Sequence, residues 1–331
     1  DISPCCENLN KLVKENLNRI NKMKEIISAI EREDKQFLTN LVNYSWNYLL
    51  TNIHNTYFSQ FIEPIKGVNI LDYRNIWNSI NHLRLVEFIV KSYTRETTTK
   101  TGFQILDPIC GDMIYQNKKI LCSFLHRGGS INNLVNLSDG EFIVSSPSPR
   151  LSINHITQEP SFGLMFDIVS KKFSGQYNLF NEGYVASRKE LNDGVQITLS
   201  TYASNDIVLK KIFTITNNSN KIGINYNFEN RGILKEEFTL YSLSKFNLGD
   251  YTKPILSKED ILIEKKSGSN DTVVLEIKNK NLNSKIKITS PQEIEFLTKK
   301  SFRNLELTSR MKIPVLSFKE KKDFTFSLEV E

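Results

Sequence analysis

The stretch Val195-Gln196-Ile197-Thr198-Leu199-Ser200 alternates strictly between apolar and polar residues. Successive side chains of a β-strand point to opposite faces of the sheet, so this pattern predicts a strand with one buried face. Runs with the same period recur from Gly102 to the C-terminus. We predict further strands at residues 119–125, 163–169, 207–215, 222–228, 236–243, 272–277, 285–289 and 323–330.

Turn-forming residues separate the predicted strands. They form the clusters Asn-Asp-Gly at 192–194, Asn-Asn-Ser at 217–219, Asn-Arg-Gly at 230–232 and Ser-Gly-Ser at 267–269. Gly, Asn and Asp adopt the backbone conformations that tight hairpins require. Many short strands joined by hairpins, with no helical pattern between them, predict a large antiparallel β-sandwich.

The N-terminal part of the chain has a different period. Apolar residues recur at spacings of three and four within residues 8–30, 37–53 and 71–93, which predicts three amphipathic helices. The second helix is expected to end near Pro64 and Gly67. A polar stretch at 94–101 follows the third helix. We therefore predict an α+β protein, with a helical domain of three packed helices at residues 1–98 and an antiparallel β-sandwich domain at residues 99–331.

Composition places the chain among ordinary globular proteins. Of its 331 residues, 39% are hydrophobic and 24% are charged. The formal net charge of +6 is small for this length and the basic residues are scattered, so the sequence does not point to nucleic acid as a partner. No apolar run approaches the roughly 18 residues that span a bilayer, so we expect no membrane segment.

The cysteines and histidines show no metal-binding spacing. The four cysteines contain no Cys-x-x-Cys pair, and His54, His82, His126 and His155 are far apart in sequence. We therefore expect no metal and no cofactor. The few cysteines favour a reducing compartment, which predicts a cytoplasmic protein.

Residues 116–134, with the sequence QNKKILCSFLHRGGSINNL, carry a family resemblance. They resemble a recurring segment of the α-amylases and 4-α-glucanotransferases of glycoside hydrolase family 57. In that family an edge strand leads into a Gly-Gly-Ser/Thr-Ile turn and then a strand bearing Glu-Leu, where this chain has Asn133-Leu134. Paired glycines permit a positive φ, so we predict a tight reversal at Gly128 and Gly129.

Further segments match the family in order and spacing over about half of the chain. Residues 107–112 are similar to an Asp-rich loop that opens the family's sandwich, and residues 208–215 and 224–230 resemble two of its strands. Residues 238–248 resemble a strand that ends in Asn-Leu. The resemblance implies a galactose-mutarotase-like sandwich, which forms the C-terminal, non-barrel region of these enzymes.

Residues 49–60 resemble the family segment that ends a helix and closes over the glucan cleft. Asn55 and the aromatic pair Tyr57 and Phe58 match it, whereas Thr, Ser and Gln at 56, 59 and 60 replace the family's Asp, His and Gly. The resemblance implies that His54, Asn55, Tyr57 and Phe58 contact the substrate. Arg127, beside the paired glycines, is a loop residue that can hydrogen-bond sugar hydroxyls, so we add it to the candidates for substrate binding.

The sequence provides no catalytic residue that we can assign. Family 57 enzymes use two carboxyl groups about 5 Å apart, and in the family these groups lie on an N-terminal barrel. No segment before Asn8 offers such a barrel. The acids Glu141, Asp167, Glu182 and Asp193 lie in or beside strands and turns, where we expect a solvated surface.

Three hypotheses for function follow. The first is a non-catalytic C-terminal half or subunit of an α-glucan-processing enzyme, which binds or frames an α-glucan or other oligosaccharide. Its catalytic barrel would come from a longer parent chain or a separate subunit. The second is a degenerate stand-alone carbohydrate-binding or structural β-sandwich protein, favoured by the departures at residues 59 and 60. The third is a complete enzyme whose site is built from sandwich residues, and we rank it last.

Overall fold

The chain divides into two compact units, Asp1–Thr98 and Thr99–Glu331. A computed structural model describes its backbone at residues 4–30, 35–62, 74–93, 100–104, 112–145, 163–171, 175–233, 237–246, 258–268, 272–291, 293–300 and 305–331. Part of the predicted loop at 107–112 and the end of the segment at 238–248 lie outside these described residues.

The first unit contains the three predicted helices, α1 (Pro4–Ser28), α2 (Lys35–Ile62) and α3 (Arg74–Tyr93). Helix α1 begins at a proline, whose missing N–H is not needed in the first turn. Helix α2 ends shortly before Pro64, as the sequence predicted, because the residue before a proline disfavours helical backbone angles. Each helix contacts the other two, which confirms that they pack together.

Apolar stripes hold the helices together. Leu49 of α2 and Ile80 of α3 are buried in one cluster, and Leu12, Trp46 and Ile53 pack against it. Burial of such side chains contributes roughly 25 cal/mol for each Å² of apolar surface removed from water. The indole of Trp46 therefore serves the core of this unit.

The second unit is built from antiparallel strands. In chain order these are β1 (Lys100–Gln104), β2 (Asp112–Gln116), β3 (Ile120–Leu125), β4 (Ser130–Asn136), β5 (Glu141–Ser145), β6 (Gly163–Lys171), β7 (Gly175–Asn178), β8 (Val185–Leu191), β9 (Gly194–Tyr202), β10 (Ile207–Thr216), β11 (Lys221–Asn230), β12 (Phe238–Phe246), β13 (Ile261–Ser267), β14 (Thr272–Asn279), β15 (Lys285–Pro291), β16 (Glu295–Lys300), β17 (Leu305–Ile313) and β18 (Lys321–Val330).

The strands form two sheets. The 10-stranded sheet has the order β1-β2-β3-β4-β6-β12-β17-β16, with β5 paired to β4 and β7 paired to β6. The 8-stranded sheet has the order β13-β14-β15-β18-β11-β10-β9-β8. Buried side chains from both sheets belong to one hydrophobic core. The unit is therefore an antiparallel β-sandwich, as the sequence predicted.

Strand β9 confirms the alternation predicted for residues 195–200. Val195, Ile197 and Leu199 are buried, whereas Gln196 and Thr198 lie on the other, partly exposed face. Each predicted strand corresponds to an observed one, namely β3, β6, β9, β10, β11, β12, β14, β15 or β18.

Alternation did not reveal β4 and β8, because neither has one buried and one exposed face, and we also missed β17, whose burial does alternate. Every residue of β4 is buried, including its asparagines, so its polar and apolar positions do not alternate by burial. Strand β8 is mostly exposed because it forms the edge of the 8-stranded sheet. Alternation of polarity identifies a strand only where a single face contacts the core.

Two predictions about connections were wrong. The turn at 230–232 is not a hairpin, because it leads from β11 of one sheet to β12 of the other. Buried Asn230 stabilises this crossing, since its Nδ2 donates to Leu316 O at 2.7 Å and its Oδ1 accepts from Gly232 N at 2.9 Å. Strand β3, expected at an edge by the family resemblance, lies between β2 and β4.

Candidate functional site

The turn between β3 and β4 carries the paired glycines. Gly128 has a φ of 80° and Gly129 a φ of 53°, which confirms the predicted reversal. A Cβ atom on Gly128 would lie 2.8 Å from Phe180 O, and one on Gly129 would lie 2.5 Å from the ring of Tyr184. Both positions therefore require glycine, for backbone conformation and for space.

A second segment lies against this turn. Arg127 forms an isolated antiparallel bridge with Gly183. Gly128 N donates to Glu182 O at 2.9 Å, and Tyr184 N donates to His126 O at 2.8 Å. These backbone hydrogen bonds hold Arg127, the one sequence-predicted site residue with a described side chain, beside the segment that bears Glu182.

Tyr177 and Glu182 form a hydrogen-bonded pair close to Arg127. The Tyr177 hydroxyl donates to Glu182 Oε1 at 2.6 Å, and its side chain is 46% exposed. This hydrogen bond to a carboxylate raises the pKa of Tyr177, because ionisation of the phenol would lose it. Arg127 is half-buried, and its Nε is buried with no hydrogen-bond partner among the described residues.

Two exposed apolar groups lie on the strands that follow Glu182 in the chain, β8 and β9. Val185 is 75% exposed and Tyr202 is 57% exposed. Val185 pairs with Ser200, which places its side chain on the same face of the sheet as Tyr202, two residues further along β9. We call the set Arg127, Tyr177, Glu182, Val185 and Tyr202 the Arg127 surface. Aromatic rings beside a few polar groups are suited to a sugar, which presents both C–H faces and hydroxyls.

A buried lysine lies beneath the glycine turn. Lys211 Nζ donates to Gly129 O at 2.7 Å and to Met165 O at 2.7 Å. It also lies 2.6 Å from Asp167 Oδ2, and both side chains are 0% exposed. Burial lowers the pKa of Lys211 and raises the pKa of Asp167. The charge and hydrogen bond of each group partly oppose the shift in the pKa of the other.

Aromatic and hydroxyl groups surround the Lys211–Asp167 pair. The Tyr226 hydroxyl donates to Asp167 Oδ1 at 3.2 Å and lies 2.7 Å from Ser242 Oγ. Lys211 Nζ is 5.0 Å from the centroid of the Tyr184 ring and 5.7 Å from that of Tyr226. The faces of such rings attract a cation. Sequence reasoning overlooked this cluster, although Lys211 occupies an inward position of a strand with alternating polarity, which is the detectable signal.

A small cavity lies next to this cluster between the sheets. It measures about 10 Å³ and is lined by Met165, Ser242, Ser244 and Ser309 together with apolar side chains. That is about the space one water molecule needs, and serine hydroxyls can supply the hydrogen bonds that such a water requires.

The acids expected on a solvated surface have different environments. Glu141 and Asp167 are buried, so their expected place on a solvated surface was wrong. Glu141 accepts hydrogen bonds from the backbone N–H groups of Asn283 at 3.0 Å and Ser284 at 2.7 Å, which connects β5 to the turn before β15. Asp193 is exposed in the turn between β8 and β9, as expected. Within the described residues, no cluster of three or more His, Cys, Asp or Glu side chains is arranged to hold a metal ion.

The remaining candidates belong to the helical unit. The backbone of His54, Asn55, Tyr57 and Phe58 lies in α2, and their side chains are outside the described residues. The predicted contact of these residues with a substrate stays a prediction. Among the described residues, no helix is long and apolar enough to cross a membrane.

Comparison with known proteins gave structural likenesses only. No family model matches the chain, and no curated protein matches it by sequence. A galactose mutarotase-like protein from Lactobacillus casei is similar over 67% of this chain and 100% of its own, at 10% identity and a TM-score of 0.47. A putative aldose 1-epimerase from Escherichia coli K12 is similar over 70% of this chain and 99% of its own, at 9% identity and a TM-score of 0.46.

The 4-alpha-glucanotransferase from Thermococcus litoralis is also similar, at 11% identity and a TM-score of 0.47. The likeness covers 96% of this chain, which spans about half of that protein, 49% of its length. At these identities and scores the comparisons concern the arrangement of strands and not function.

Proposed function

We propose that this chain binds a neutral polysaccharide, an α-glucan, and does not itself cleave it. In this proposal it is the non-catalytic part of an α-glucan-processing enzyme, with a galactose-mutarotase-like sandwich and a helical domain, and it frames or binds the polysaccharide. A catalytic barrel in the same parent protein or in a partner subunit would supply the chemistry. The observation that carries the proposal is the composition of the Arg127 surface.

The Arg127 surface combines the two features that a sugar requires. Tyr177 and Tyr202 offer exposed rings, which can stack on the apolar face of a pyranose. Arg127 and Glu182 offer a donor and an acceptor for hydroxyl groups, and their opposite charges leave no net local charge to attract an ionic ligand. A neutral, polyhydroxylated ligand therefore fits this surface better than a nucleotide or a phosphorylated compound.

The acids of the sandwich support binding without cleavage. Glycosidic hydrolysis needs two carboxyl groups about 5 Å or more apart that both reach the scissile bond. Glu141 is committed to two backbone N–H groups and Asp167 to Lys211, and both are buried. Glu182 binds Tyr177 through one oxygen. These three acids therefore do not supply two free carboxyl groups at the surface.

Calorimetric titration of the full chain with maltoheptaose, and gel electrophoresis in the presence of glycogen, test the proposal. The Arg127→Ala variant should bind more weakly than the wild type. Arg310→Ala is the matched control, because Arg310 pairs with Glu295 at 3.0 Å on β17, beside the edge strand β16 of the 10-stranded sheet. If both variants bind with the affinity of the wild type, Arg127 does not contact the ligand.

Activity measurements separate binding from cleavage. The isolated chain should release no reducing sugar from amylose or glycogen. Turnover by the isolated chain that Glu182→Gln abolishes would contradict the proposal and favour an enzyme whose site lies in the sandwich. Absence of binding to every α-glucan would instead favour a structural role.

A further inference from the structure

Lys211 and Asp167 meet in the interior of the sandwich and come from different sheets. Lys211 lies on β10 of the 8-stranded sheet and Asp167 on β6 of the 10-stranded sheet. Their atoms Nζ and Oδ2 are 2.6 Å apart, and neither side chain is exposed to solvent. Because the carboxyl carbon is bonded to Oδ2, the lysine nitrogen also lies close to that carbon.

Three oxygen atoms lie around the Lys211 nitrogen. Nζ donates to Gly129 O and Met165 O, each at 2.7 Å, and Asp167 Oδ2 lies 2.6 Å away. These contacts satisfy the three protons of an ammonium, and in the neutral amine they satisfy its two protons and its lone pair. Burial disfavours both charged forms, so the pKa of Lys211 is lowered and that of Asp167 is raised. Transfer of one proton from the ammonium to the carboxylate gives an amine beside a carboxylic acid.

Hydroxyl groups are placed to stabilise the charge that develops when an amine attacks this carboxyl group. The Tyr226 hydroxyl donates to Asp167 Oδ1 at 3.2 Å, and Ser242 Oγ lies 2.7 Å from the same hydroxyl. Donors held in a water-poor site stabilise an oxyanion more strongly than water does. Oδ1 is therefore the oxygen that would remain as the carbonyl, and Oδ2 the one that would leave.

We propose that Lys211 and Asp167 condense to an intramolecular amide bond that joins β10 to β6 and so links the two sheets covalently. The Nζ lone pair forms a bond to Cγ of Asp167, and the Cγ–Oδ2 bond breaks. Oδ2 leaves as water, with its own proton and one proton from the nitrogen. The products are one secondary amide and one water molecule, so the step needs no oxidant, reductant or other reactant.

The cavity beside the cluster has room for the released water molecule. Its lining includes Met165 and Ser242, both of which contact the reacting groups or their partners. Its size of about 10 Å³ corresponds to roughly one water molecule. Departure of water from the reacting carbon favours the amide, because the reverse reaction, hydrolysis, requires that water to return.

Mass spectrometry of the denatured full-length protein tests this inference. The expected intact mass is that of the sequence less one water. A tryptic digest should contain peptide 151–171 linked to peptide 211–221, because an acylated Lys211 is no longer a cleavage site. The full sequence mass, with peptides 151–171 and 212–221 recovered unlinked, would show that the pair is only an ion pair and would overturn the proposal.

Controls exclude other sources of a lost water. Asp139-Gly140 and Asp193-Gly194 can cyclise to succinimides with the same mass change, but hydroxylamine cleaves succinimides and leaves an amide intact. Lys210→Arg, at the neighbouring outward position of β10, should keep the mass loss. Lys211→Arg should abolish it, and a loss that persists in Lys211→Arg would refute the assignment. The wild-type mass decides the question even if Lys211→Arg fails to fold.

Discussion

His82 Nδ1 lies 2.9 Å from Ser45 Oγ between helices α3 and α2, and both side chains are buried. The rings of Tyr44 and Tyr48 approach the imidazole edge-on, with centroids 5.0 and 5.5 Å away. Burial lowers the pKa of His82 to about 3, because the imidazolium would lose its hydration. The folded helical unit therefore holds a neutral histidine at every pH above that value.

This histidine makes stability depend on pH in a defined direction. Below about pH 6.5, His82 binds a proton in the unfolded chain but not in the folded chain. The free energy of unfolding should therefore decrease as the pH falls from about 6.5 toward 3. The contribution of His82 is at most about 1.4 kcal/mol per pH unit. Urea unfolding of the wild type and of His82→Gln at several pH values measures it. Parallel curves for the two proteins would contradict a buried neutral His82.

The two glycines at 129 and 183 should respond differently to a methyl group. In Gly129→Ala the new Cβ would lie 2.5 Å from the Tyr184 ring, at a φ of 53°. Crowding of a packed site typically costs about 1–3 kcal/mol, and we expect at least that loss in the free energy of unfolding. Gly183→Ala is the matched control, because nothing lies within 4 Å of its Cβ position. Equal stabilities of the two variants would contradict the close packing of the turn.

Removal of the buried lysine should be far more damaging than removal of its neighbour. In Lys211→Met the Asp167 carboxyl group loses its partner, and breaking a buried pair in this way costs about 3–5 kcal/mol. Lys210→Met should change stability by about 0.5 kcal/mol or less, since Lys210 is partly exposed and 3.9 Å from Glu229. Chemical denaturation of both variants provides the comparison.

A double variant tests whether Lys211 and Asp167 act as a unit. Lys211→Met combined with Asp167→Leu should lose less stability than the sum of the two single variants, because no unpaired group is left in the core. Strict additivity would mean that the two side chains do not interact.

The aromatic pair of α2 should contribute to binding rather than to stability if it forms a sugar platform. Tyr57→Ala with Phe58→Ala should weaken binding of maltoheptaose by about 2- to 12-fold per ring, which corresponds to roughly 0.5–1.5 kcal/mol. Leu49→Ala is the control, because Leu49 is fully buried between the helices and its truncation should lower stability by about 2–5 kcal/mol. A double variant that loses stability while its affinity is unchanged would identify the two rings as core.

The sequence by itself determined which face of many strands is buried and where the chain can reverse. Polar and apolar residues alternate in β9 because successive side chains point to opposite faces of the sheet, and only one of these faces is buried. The reversal at Gly128 and Gly129 was equally visible, because only glycine adopts such backbone angles readily. These are local properties, and local sequence specifies them.

Only the tertiary structure decided which residues meet. The sequence places Lys211 on an inward face, but Gly129, whose carbonyl it binds, is 82 residues away. The order of the strands and the register between them bring β6 against β10, and no local pattern encodes that order. The same holds for Arg127 and Gly183, which are paired by one isolated bridge. Burial then turns Lys211 and Asp167 from surface charges into a coupled pair, because the packed sheets exclude the water that would otherwise solvate them.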